Sequence, residues 1–167
     1  MMGNGLFALG LKIIFLNNVS TIRYHGDEST AGRREARYDF FVPHVVGALL
    51  VHNAGASGVV GMRGSFWADL ETYDLRRLEY HADEIPPDLL YADIFTTIYY
   101  DRVRIGDRDV LLPQAADLRT IQVNGEEKWN HIEFTHCQGF HTEGTLPLGL
   151  RITVALSAPL DDHAPVG

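Results

Sequence analysis

The sequence predicts an α+β protein, a curved antiparallel β-meander of about eight or nine strands with one short apolar helix packed on its concave face. Three observations carry this reading. Apolar and polar residues alternate with period two over most of the chain. Turn signals rich in Gly, Asp, Asn and Pro separate the alternating runs. Helical spacing occurs at one place only, near the N-terminus.

That segment, residues 5–16, carries Leu6, Leu9, Ile13 and Leu16 at spacings of three, four and three, flanked by Phe7, Leu11 and Ile14. A short helix apolar nearly all round belongs inside a protein, here against the sheet. It falls well below the roughly 20 residues that a spanning helix needs. No basic region precedes it, and Asn17, Asn18, Val19 and Ser20 follow where a cleavage site would need small residues. Asn18-Val19-Ser20 matches a glycosylation acceptor, a pattern short enough to recur by chance.

Residues 21–25 read as a first strand ending in the polar turn 26–30. Ala36, Tyr38, Phe40 and Val42 then alternate with Glu35, Arg37, Asp39 and Phe41 until Pro43, which cannot donate to a ladder. Residues 45–52 form the next strand, with 53–58 as its exit loop. The clearest hairpin follows. Val60, Met62, Phe66 and Ala68 share one face opposite Arg63, Ser65 and Asp69, and the return run sets Leu78, Tyr80 and Ala82 against Arg77, Glu79 and His81. Residues 83–88 are too rich in proline for a sheet interior.

Residues 94–105 are the longest strand, reaching the turn 106–109. Its partner, 110–112, runs into Pro113, which calls for a bulge or an edge before the strand resumes at 116–123. Asn124-Gly125 predicts a type I′ hairpin, and 129–136 returns from it. A last run, 150–156, pairs at the end, and 157–167 reads as a frayed tail. No repeat, linker or change of composition divides the 167 residues, so the chain is one domain with its core over about 5–156.

The formal net charge of −8 argues against a nucleic-acid partner, which needs a clustered basic surface, and against docking on an anionic membrane. The single Cys137 excludes an internal disulfide framework. Eight Phe, seven Tyr and two Trp suit a strand-rich protein with a broad apolar face.

Chemistry has few places to sit. His131, Glu133, Thr135 and Cys137 share one strand face, with His136 on the other and His141 beyond. That spacing lines ligands along a row, whereas zinc wants them converging on a point, so no metal site is assigned. Asp69, Glu71 and Asp74, and Asp83, Glu84 and Asp88, lie in turns where carboxylates are solvated, far from the environment that tunes a general acid. No nucleophile elbow, phosphate loop or dinucleotide fingerprint is present. No catalytic residue or cofactor follows from any of this.

What remains is apolar surface. Met62, Phe66, Leu78, Tyr80, Ile98 and Tyr100, with Tyr38 and Phe40, line the inward faces of the strands. One short helix is hardly enough to cover such a sheet, so the sheet curls on itself or part of this face walls a cavity.

Residues 64–72, Gly-Ser-Phe-Trp-Ala-Asp-Leu-Glu-Thr, followed by 75–78, resemble the hairpin of the LolA/LolB-like half-barrels, periplasmic carriers of bacterial lipoproteins. Residues 82–87, 104–113 and 132–137 resemble an uncharacterised family of exported bacterial proteins associated with that fold. The likeness covers about residues 5–147. It implies a half-barrel, a periplasmic or exported location, and further strand or helix ahead of Gly5, an export signal included. If those first strands are missing, the sheet has an uncovered edge that favours self-association.

The resulting expectation is a non-enzymatic binding or carrier protein for a lipid, an acyl chain or a lipoprotein. Met62, Phe66, Leu78, Tyr80, Ile98 and Tyr100 form the wall of its concavity. The alternative is a protein–protein interaction module using an exposed sheet edge or apolar patch. A third reading is a hydrolase-type enzyme with His131, Glu133 or His136 as acid–base residues.

Overall fold

Alternation becomes pairing. In the computed structural model, β2 (Arg33–Val42), β4 (Ala56–Asp69) and β5 (Leu75–Asp83) lie side by side, and their inward residues meet in register. Tyr38 stands opposite Phe66, and Phe66 opposite Leu78, while Met62 pairs with Val42 on one side and Ala82 on the other. The structure describes residues 10–30, 32–46, 49–53, 55–135, 142–143 and 153–154.

With β1 (Thr21–Thr30), β3 (Leu49–Asn53), β6 (Tyr91–Ile105), β7 (Arg108–Gln122) and β8 (Glu127–Glu133), these strands form one open, curved antiparallel sheet of eight strands. The order is β1-β2-β4-β5-β6-β7-β8, and β3 pairs with β4. Strand β4 therefore takes two successive partners along its length, β3 over residues 56–60 and β2 over 62–69. The meander and its antiparallel sense are as the sequence predicts.

Helix is scarce, so the expected α layer reduces to a single element. Among residues 10–16 one helical turn forms, and Lys12–Leu16 is π-helical, closed by the Asn17 N–H on the Lys12 carbonyl at 3.0 Å. The earlier part of the predicted helix lies outside the described residues.

Several boundaries differ from expectation for local reasons. Strand β1 does not stop at Gly26. A bulge between Tyr24 and Gly26 absorbs the glycine, and the polar run 26–30 continues in register against 33–37. Residues 44–46 form a 3-10 turn, so β3 begins at Leu49. Ala56, Ser57 and Gly58 belong to β4, opposite Asn53, His52 and Val51. Gly58 has little room for a side chain, because Pro86 and Leu89 pack directly over it.

The Asn124-Gly125 turn is not type I′. Gly125 takes φ of 86° but Asn124 does not have a positive φ, because its carboxamide accepts the Glu126 N–H at 2.9 Å. The Gly125 N–H returns to the Gln122 carbonyl, and four residues, 123–126, connect the strands, so β8 starts at Glu127, earlier than predicted. Pro113 does mark a bulge. Tyr99 and Tyr100 pair with Ala115 and Pro113, which leaves Gln114 extra. From the final run, Thr153–Val154 pair with Thr142–Glu143 (β10 and β9) away from the main sheet. The rest of that run, the tail 157–167, Cys137, His136 and His141 lie outside the described residues.

The inner face holds two apolar clusters. The larger joins Phe40, Val42, Met62, Phe66, Leu78, Tyr80, Ile98, Tyr100 and Ala116 beneath Ile13 and Ile14 of the N-terminal turn. The smaller joins Val60, Ala82, Leu89 and Ile94 at the β3 end. Complete burial of side chains such as Met62 and Leu78 contributes about 1.5–3 kcal/mol each.

Candidate functional site

The π-helical turn decides what is covered and what stays open. Ile13 and Ile14 lie on the sheet, where both are buried, and Lys12, Phe15 and Leu16 stay outward. Asn18, at a positive φ of 55°, ends the turn, and the Ser20 hydroxyl donates to the Ile14 carbonyl.

Beside this turn lies an open groove of about 560 Å³. Leu11, Lys12, Phe15 and Leu16 form one wall. Phe66 and Ala68 of β4, Leu75 of β5 and Leu111 of β7 form the other, and Tyr73 in the β4–β5 turn closes one side. The Phe15 ring meets Phe66 edge-on at 4.9 Å, Phe66 stacks on Tyr38 at 5.0 Å, and Tyr38 meets Tyr24 at 5.5 Å. A row of four aromatic rings thus crosses the sheet from the groove to its β1 edge. At the groove itself Leu16 is 76% exposed and Tyr73 82% exposed.

The six residues predicted as a ligand wall do converge, all within the larger cluster. Phe66 also lines the groove, while Met62, Leu78 and Ile98 lie fully beneath Ile13 and Ile14. Tyr80 and Tyr100 are buried phenols. Burial pushes both hydroxyls above the ordinary phenol range, so neither is an acid or base near neutral pH. The Tyr100 hydroxyl has no hydrogen-bond partner among the described residues.

The candidate acid–base groups sit on the opposite, polar face or in turns. His131 Nδ1 lies 2.7 Å from Asp117, with Glu133 3.6 Å from its other nitrogen. The hydrogen bond that His131 donates to Asp117 pushes the imidazole pKa up, and the group stays half-exposed on the sheet surface. Asp69 accepts the N–H groups of Thr72 and Glu71, Asp74 takes Arg102 bidentately, and Glu84 accepts the His44 N–H. Each of these three carboxyls is held below the usual carboxylate range by those bonds, opposite to what a general acid requires. Asp83 pairs with Arg63, and Glu71 and Asp88 are exposed. These groups fasten turns. Among the described residues no cluster of His, Cys, Asp and Glu is arranged to hold a metal ion.

Sequence reasoning reached the sheet side of the groove through Phe66 but missed Lys12, Phe15, Leu16, Tyr73 and Leu111 as lining. An apolar stripe reads as a plug whether it seals a face completely or leaves one side open. An exposed tyrosine in a polar turn was the one available signal.

No helix of the described residues is long and apolar enough to cross a membrane. No family model matches the chain, and neither a curated protein nor a solved structure is similar to it.

Proposed function

We propose that this chain is a non-enzymatic binding or carrier protein that takes a single apolar chain, such as the acyl tail of a lipid or lipoprotein, into the groove between its N-terminal turn and the concave sheet. One observation carries the reading. The groove has the size of a small-molecule site and is walled almost wholly by Leu, Phe and Ala side chains, yet it stays open to solvent. The likeness of residues 64–78 to the lipoprotein-carrier hairpins points the same way. An exposed apolar groove costs free energy unless something fills it.

The test is native mass spectrometry of the purified protein, followed by titration with a fluorescent fatty acid. Co-purifying lipid or saturable uptake is the expected result. Each methylene that enters should raise affinity roughly fourfold, from about 0.8 kcal/mol per CH₂. Leu16→Asp and Tyr73→Asp should abolish uptake without lowering thermal stability, because both side chains are exposed. A clean apo mass with no uptake by the wild-type chain would overturn the reading.

A second reading rests on β1. Among the described residues it is an edge strand, paired on one side only, with Ile22 and Tyr24 exposed. It would serve partner-strand addition or self-association. Concentration-dependent sedimentation, abolished by Ile22→Pro, would support it.

A further inference from the structure

The groove lining contains one charged side chain, Lys12. Its ammonium is exposed and has no carboxylate within ion-pair distance among the described residues. Most cations of this acidic chain are engaged: Arg34, Arg37, Arg63, Arg76, Arg77, Arg102, Arg104, Arg119 and Lys128 all pair with carboxylates. The other polar side chain of the lining, Tyr73, presents a hydroxyl that likewise has no partner among the described residues. An ammonium and a phenol are both donors, and no carboxylate lies in the lining to repel an anion. Lys12 both lines the apolar groove and is exposed, and a lysine so placed can lay its stem on the apolar wall and keep its head in water.

We propose that the ligand is a single-chain amphiphile with a terminal carboxylate, its tail in the groove and its head on Lys12. This rests on the groove reading above and specifies it. A carboxylate fits better than a phosphate headgroup, because phosphate recognition favours the bidentate fork of arginine, and no arginine lines the groove. The contact is an ion pair in partial solvent, so it selects among heads while the tail supplies most of the affinity.

The experiment is displacement of an uncharged fluorescent reporter, N-phenyl-1-naphthylamine, from the full chain by hexadecanoate, methyl hexadecanoate, hexadecylamine and single-chain lysophosphatidic acid. Hexadecanoate should compete about fivefold better than its methyl ester at low salt, and the preference should shrink as ionic strength rises. Hexadecylamine should be the weakest. Lys12→Met should bring acid and ester to equal affinity, Lys12→Arg should keep the preference, and Lys12→Glu should reverse it towards the amine. Thermal midpoints of the three variants should match the wild type. Equal affinities of acid and ester for the wild-type chain, or an acid preference that survives Lys12→Met, would overturn the head-group assignment while leaving the groove reading intact. Tighter binding of lysophosphatidic acid than hexadecanoate, lost in Lys12→Met, would overturn the choice of carboxylate. If the reporter itself does not bind and no amphiphile is taken up, the groove reading falls and this proposal with it.

Discussion

The guanidinium carbon of Arg77 lies 3.8 Å from the centre of the Trp67 ring, on the polar face of the sheet. Arg37, in register with Trp67 on the other neighbouring strand, stands 5.4 Å from the same ring, and the indole N–H donates to Glu28 at 2.8 Å. Trp67 is only 4% exposed although it faces away from the apolar core. The arginines cover it. Trp67→Ala should therefore cost about 3–4 kcal/mol, comparable with a core aromatic. Arg77→Met should cost about 1 kcal/mol through the lost cation–π contact. Urea midpoints at unchanged m-value measure both, and an Arg77→Met variant as stable as the wild type would show the stack to be incidental.

Gly64 admits no side chain. A Cβ there would lie 2.0 Å from the Glu79 carbonyl oxygen and 2.7 Å from the Tyr80 Cα. Both are backbone atoms of β5, so the clash is relieved only by parting β4 from β5. Gly64→Ala should destabilise by at least about 3 kcal/mol, the range of strained core substitutions. Gly10→Ala, with nothing within 4 Å of the added carbon, is the control. Thermal melts of the two variants decide it.

Acid should unfold the protein through its paired carboxylates. Arg102 donates two 2.7 Å hydrogen bonds to Asp74, and Ser65 donates one of 2.7 Å to Asp39. Asp101 accepts the Arg102 N–H and an Arg76 guanidinium N–H. All three carboxyls are held below their ordinary range by these bonds. A folded pKa below the unfolded value gives stability that is complete above the ordinary carboxylate range, near pH 4, and is lost as pH falls through the lowered values. The part of the urea midpoint that these three carboxyls supply should be constant from about pH 5 upward and fall below pH 4. Asp74→Asn should lower the plateau and flatten the acid limb. A slope unchanged in Asp74→Asn would remove that pair from the account.

His131 works in the opposite direction. Its hydrogen bond to Asp117 raises its pKa above the ordinary value near 6.5, so the stability it contributes is complete below pH 6.5 and disappears as pH rises through the raised value. His131→Gln should lose stability relative to wild type at pH 5.5 and lose less at pH 9. The NMR titration of the His131 ring checks the cause directly, and a midpoint at or below 6.5 would remove it.

Much of the sheet was legible because burial on one face imposes alternation. In β2, β4 and β5 the inward residues over 36–42, 60–68 and 78–82 are apolar and most of the outward ones polar, so register and face follow from the sequence. The second half of β1 escaped because an exposed edge needs no such alternation: residues 26–30 are polar yet remain in the ladder begun by 21–25. The start of β4 escaped because Ala56, Ser57 and Gly58 carry loop-like composition, although Gly58 stays small for the sake of Leu89 and Pro86 above it. The groove divides the same way. Phe66 was legible from its strand, whereas Lys12, Tyr73 and Leu111 come from a turn, a hairpin loop and a distant strand, and no local period connects them.

The passage of β4 from one partner to the other divides the sheet's resistance to opening. Val60 belongs to the smaller apolar cluster and Met62 to the larger, although they are neighbours on one face. The strand that covers each is different, β3 for the first and β2 for the second. Backbone amides of β3 can therefore exchange with solvent deuterium by a local fluctuation that leaves β1, β2 and the aromatic row undisturbed. An occupant of the groove would slow exchange on the β2 side alone, so the division supplies an internal reference: the β3 amides keep time while the others respond.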